Sequence, residues 1–166
     1  MSRIISGVME NLCGEGGEGR GYTPGDDAWF SLASQRHSYE QRVADNHLRV
    51  AVNRQTGYGS LIWFVDGDSS RVGEVCESVW ISDNPQPPRF DPRVVSDPGY
   101  PLFHDPSSAL PLEQVRAALE EFCRIGTGER PECISWAPGD ANGQRLDRAP
   151  MVEQVEDPVI DWGSLL

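Results

Sequence analysis

One hundred and sixty-six residues are enough for one domain of ordinary size with tails, and too few for two complete domains. Twenty-six acids face 14 bases, all of them arginine. The formal charge of −12 repels phosphate, which argues against a nucleic-acid binder or a protein of anionic membrane surfaces and suits a soluble protein with a basic partner.

The N-terminus has too short an apolar stretch for a signal peptide and soon meets Glu10, and no run of 18 apolar residues follows. A cytoplasmic protein is expected. Residues 14–25 hold six glycines and Pro24, which suit neither a helix nor a central strand, so they read as a long loop or mobile linker within a glycine-rich N-terminal segment, 1–28.

Residues 29–138 read as a single α+β domain. In 47–53, Leu48, Val50 and Val52 alternate with Arg49 and Ala51, the period of a half-buried strand. Gln55-Thr56-Gly57 makes a turn, and the apolar run 58–65 suits a central strand closed by Asp66-Gly67-Asp68. Further strands are expected at 75–82, 89–95 and 102–104, separated by Pro, Gly or Asn. One helix is expected from Pro111, because Leu112, Val115, Leu119 and Phe122 form one apolar stripe; Pro111 suits the first helical position and Gly126 a left-handed cap. Residues 131–136 read as a last strand, with Cys133 and Ser135 on one side and Ile134 and Trp136 on the other. The fold class is α+β: an antiparallel or mixed sheet with one main helix packed across a face. Residues 139–166 form an acidic C-terminal tail, and Val152, Val155, Ile160 and Trp162 suggest that it docks back.

Candidate chemistry is sparse. Gly14-x-Gly16-x-x-Gly19 matches the dinucleotide fingerprint in letters, but no helix pattern follows and Glu15 and Glu18 would oppose the phosphates. Asp66, Asp68, Ser70 and Glu77 copy the spacing of a calcium loop, but Arg71 stands where the sharp turn needs Gly. Cys13, Cys76, Cys123 and Cys133 lie far apart and read as reduced thiols, and they share no zinc spacing with His37, His47 or His104. Neither a Gly-x-Ser-x-Gly elbow nor a His-x-Glu with Pro-Cys-x-x-Cys occurs. The expectation is a non-enzyme without cofactor or metal.

Two blocks carry a resemblance. The first is Gly57-Tyr-Gly-Ser-Leu-Ile-Trp-Phe64 with its following Asp-Gly turn. The second runs from Leu110-Pro111 through the helix to Gly126-Thr-Gly-Glu-Arg130-Pro131 and Cys133-Ile-Ser-Trp136. Over roughly residues 47–137 the chain resembles the immunity-protein family of bacterial polymorphic-toxin systems, typically encoded beside deaminase toxins. The resemblance implies a cytoplasmic binding protein that neutralises a cognate toxin one-to-one as a monomer, with a deaminase whose substrate channel is basic as the expected partner. Immunity to another toxin class and a non-catalytic acidic adaptor remain as alternatives.

Charge suggests where the partner binds. Residues 60–110 carry eight acids against three bases, whereas 29–59 is the only net-positive stretch. Asp66, Asp68, Glu74, Glu77, Asp83 and Asp91 surround turns and strand ends, with Trp80 and Phe90 nearby. Acids around an aromatic are the composition of an interface anchor, and these eight residues are the candidate partner-binding set.

Overall fold

The hydrophobic alternation and the turn after it dictate a hairpin, and the computed structural model, which describes residues 2–13, 27–33, 44–66, 78–97 and 102–149, builds its sheet on that hairpin. Strand β2 (Asn46–Asn53) pairs antiparallel with β3 (Tyr58–Val65), from Asn46 opposite Val65 to Asn53 opposite Tyr58. The Asn53 carbonyl accepts the N–H groups of Thr56 (3.2 Å) and Gly57 (3.0 Å) to close the turn.

Strand β1 (Asp27–Phe30) adds to the free side of β2, while β4 (Val79–Asp83) pairs with the C-terminal half of β3. A two-stranded sheet, β5 (Val95–Asp97) with β6 (Leu102–Phe103), stands apart from this one. Strand β7 (Leu110–Pro111) joins the start of β3, and β8 (Ser135–Pro138) completes the order β1-β2-β3-β4-β8 beyond β4. Every pair is antiparallel, so the fold is α+β as the sequence predicts.

Helix α2 (Leu112–Ile125) lays the expected stripe on one sheet face. Val115, Ala118, Leu119 and Phe122 pack with Leu48, Val50 and Val52 of β2 and with Leu61, Trp63 and Val65 of β3. Gly59 lets the helix close on the sheet: a Cβ there would meet the Ala51 carbonyl oxygen at 2.8 Å and Val115 Cγ2 at 3.2 Å. Gly126 ends the helix at φ 72°, and its N–H donates to the Phe122 carbonyl.

Four features differ from the expectations. A second helix, α1 (Ser2–Cys13), puts Ile5, Met9 and Leu12 into the same core, where no element was expected. Twelve residues are too few for a stable isolated helix, so α1 depends on this burial and on contacts such as Arg116 Nη1 donating to Ser6 Oγ at 3.2 Å. Pro111 is not the first helical residue but the one before it, extended opposite Tyr58. No strand forms over 89–94. Four prolines between 85 and 92 remove ladder donors, and the Asn53 amide and Thr56 hydroxyl hold the Pro92 carbonyl at 2.9 and 3.1 Å. The last strand starts at Ser135 rather than 131, because the Glu121 carboxylate takes the N–H groups of Glu132 (3.0 Å) and Cys133 (2.9 Å) and the Pro131 carbonyl accepts Trp136 Nε1 (2.7 Å).

The other sheet face carries a smaller core of Ala51, Val94 and Ala109, with Tyr58 against it. Beside it, His104 is almost wholly buried. Desolvation first, then the nearby Arg49 guanidinium, push its pKa down to about 3, against an opposing hydrogen bond with the Gly143 backbone. Cys13, Cys123 and Cys133 are free thiols.

Two outcomes follow. Phe122 is 1% exposed, so Phe122→Ala is expected to cost about 3–5 kcal/mol in urea unfolding, and a loss under about 1 kcal/mol would mean the stripe faces no core. His104 stays neutral in the folded chain while the unfolded chain takes up a proton below about pH 6.5. Its contribution is therefore complete above pH 6.5 and falls toward pH 3 by up to about 1.4 kcal/mol per pH unit. His104→Gln should flatten that decline in unfolding free energy between pH 6.5 and 4; parallel wild-type and variant curves would contradict it.

Candidate functional site

Alternation along β1 sends Ala28 and Phe30 to the helix side and Asp27 and Trp29 to the other. Register then sets Trp29 opposite Arg49 and His47 opposite Phe64, so residues from three strands meet on one patch. The Trp29 ring stands edge-on to Phe64 at 5.5 Å between centroids and to His47 at 6.4 Å, while His47 stacks on Phe64 at 4.7 Å. The Arg49 guanidinium lies 5.6 Å from the Trp29 centroid.

Hydrogen bonds fix these rings. The Asp27 carboxylate accepts Trp29 Nε1 at 3.0 Å and also the Nε of Arg49. His47 is held at both nitrogens: Nδ1 shares a 2.8 Å hydrogen bond with Ser31 Oγ, and Nε2 lies 3.3 Å from Asp66 Oδ1. The order Ser–His–Asp is that of a hydrolase relay, but here the two contacts orient an imidazole already stacked on Phe64. Ser31 is anchored through its neighbour, since the Asn46 side chain bonds both the N–H (3.1 Å) and the carbonyl (2.8 Å) of Leu32. Trp29 is nevertheless 55% exposed, whereas its neighbour Arg49 is buried.

The structure distributes the sequence-derived candidates over several places. Asp66 joins this patch through His47. Asp68, Glu74 and Glu77 lie outside the described residues. Trp80 is opposite Trp63 and so faces the helices, with the Arg130 guanidinium 3.8 Å from its ring centroid. Asp83 is engaged by the buried Arg145, whose Nη1 is 2.6 Å away and whose Nη2 reaches Asp147 at 2.7 Å. Those two carboxylates raise the Arg145 pKa despite its burial, the Asp147 hydrogen bond most of all. Phe90 and Asp91 are exposed on the 84–94 loop, where Phe90 meets Tyr58 edge-on at 5.7 Å and Asp91 accepts the Arg93 N–H at 2.8 Å. Tyr58 and Asp66 mark opposite ends of β3, about 25 Å apart at strand rise. Asp66 and the Phe90–Asp91 pair therefore occupy two ends of the sheet, and Trp80 its other face.

Reading by charge missed Trp29, His47, Arg49 and Phe64. The signal lay in Asp27-Ala-Trp-Phe30, whose alternation marks a strand with one polar and aromatic face, but it follows directly on the glycine-rich stretch. Arg49 was counted in a basic strip, whereas Asp27 neutralises it.

A family model described as Immunity protein Imm1 matches residues 20–138, a span that takes in every strand of the sheet. No curated protein and no solved structure matches the chain. The match covers well over half of the sequence: the chain belongs to the Imm1 family of immunity proteins, which act against bacterial toxins.

Proposed function

We propose that this protein neutralises a nucleic-acid deaminase toxin in the cytoplasm by lodging in the toxin's substrate channel as a monomer, one-to-one. The family supplies the toxin as partner, and the resemblance of the 57–64 and 110–136 blocks to immunity proteins encoded beside deaminases supplies the chemistry. The observation that carries the channel-blocking step is the charge of −12. A deaminase acting on nucleic acid needs a positive channel, and an acidic protein competes there with the phosphate backbone. Opposite potentials also raise the association rate.

Stopped-flow association with the toxin domain encoded by the neighbouring gene tests this reading. Replacing Asp66, Asp68, Glu74 and Glu77 with Asn or Gln is expected to slow association about tenfold, and added salt to slow the unmodified protein similarly. Unchanged rates would move the acidic contact elsewhere, first to the C-terminal stretch 153–162. A neighbouring toxin lacking His-x-Glu and Pro-Cys-x-x-Cys would reject the deaminase.

A further inference from the structure

The acidic field explains how a basic partner is drawn in, but not what holds it. We propose that the Trp29–His47–Phe64 cluster is the desolvated centre of the toxin interface, with Asp27 and Asp66 at its margin, and that it receives an apolar pocket on the toxin bordered by basic side chains. The inference rests on the toxin-binding reading above and adds the surface that grips.

Four observations converge on this patch. Trp29 is more than half exposed although its ring is already fixed by Asp27 and by the edge contact with Phe64. A side chain ordered before binding loses little rotamer freedom on contact. The Arg49 charge at the centre of the patch is paired internally with Asp27, and the Asp66 carboxylate lies at the margin, 3.3 Å from His47 Nε2. Interface centres are depleted in free charge and enriched in Trp and Arg, with the polar groups at the rim. On this side of the sheet burial extends from Ala51 through Ile62 and Ile81 to Arg49, and among the described residues it leaves Trp29 open. Finally, β1 is the terminal strand of the sheet, which leaves its outer edge without a strand partner among the described residues.

Charge selects the occupant. A second copy of this chain would bring another net charge of −12, so self-association through β1 is opposed by overall repulsion, while a basic toxin surface is favoured.

The test uses the full chain and a catalytically inactivated toxin domain from the neighbouring gene, with binding followed in real time on a biosensor. Trp29→Ala should weaken binding about 100-fold or more. The loss should fall in the dissociation rate while the association rate and its salt dependence stay near wild type. Trp29→Tyr should recover part of the affinity, and Ile125→Ala, an exposed apolar control at the end of α2, should bind within threefold of wild type. Thermal unfolding of each variant checks that the fold persists. Trp29→Ala binding within threefold of wild type overturns the proposal, as does an equal loss in Ile125→Ala. Sedimentation showing a dimer that Trp29→Ala dissolves also overturns it, by giving the patch to a second copy. If the charge variant associates normally while Trp29→Ala still dissociates fast, the channel-blocking reading fails and this one stands.

Discussion

A sheet strand buries a face only where another layer can reach it, and in this protein the two faces of the β2–β3 hairpin are closed unequally. On one side, Leu48 to Val52 and Leu61 to Val65 pack along their whole length against α1 and α2. On the other, burial runs from Ala51 and Tyr58 at the turn end through Ile62, Ile81 and Ala137, and it stops short of Trp29 at the β1 edge. Both architecture and candidate site follow from that asymmetry. The closed face gives the hairpin its stability, and the open end of the opposite face can present aromatic side chains without weakening the main core.

The closed face also explains what the family-like blocks are for. Trp63 is buried beneath α2, and its Nε1 donates to the Gly128 carbonyl at 3.0 Å. Arg130 extends over Trp80 and lies 5.9 Å from the Trp63 centroid, while Trp136 reaches back to the Pro131 carbonyl. Three indoles therefore hold the corner between α2 and β8, the corner that Gly126-Thr-Gly-Glu-Arg-Pro131 writes into the sequence. Buried indoles need a partner for their N–H, and a carbonyl-rich turn that must leave a helix needs donors. Each supplies the other, so such residues mark a fold more than a contact surface.

This division decides what could be read from the chain. Strand β3 emerged at its true bounds, β2 to within one residue, and the helix with its glycine cap, because each carries its own period and punctuation. Helix α1 was missed although Ile5, Val8, Met9 and Leu12 recur at helical spacing, because Gly7 interrupts it and the glycine-rich stretch follows it directly. The 89–95 stretch looked strand-like, yet the prolines around it withdraw the donors a ladder requires. Composition found the acidic stretch and placed Asp66, but it could not find the Trp29 patch. That patch brings residues 27, 29, 47, 49 and 64 together through strand register, and register depends on pairing partners that a one-dimensional pattern does not name.

Acidity and aromatic grip solve different parts of recognition. Long-range attraction raises the encounter rate with any sufficiently basic partner, so −12 alone confers speed but little choice among basic proteins. Choice requires short-range complementarity, where a wrong partner leaves apolar surface wet or a polar group unpaired. A carboxylate placed at the centre of such a contact would have to be desolvated, and without a matched cation that penalty would offset the attraction. Pairing Arg49 with Asp27 inside the chain removes this difficulty in advance, because both groups are already compensated before a partner arrives. It also leaves the Trp29 ring standing between a guanidinium and Phe64, rigid and accessible at once. A surface acidic at long range and locally neutral at its aromatic centre is thus physically consistent, since each part acts at a distance where the other contributes little.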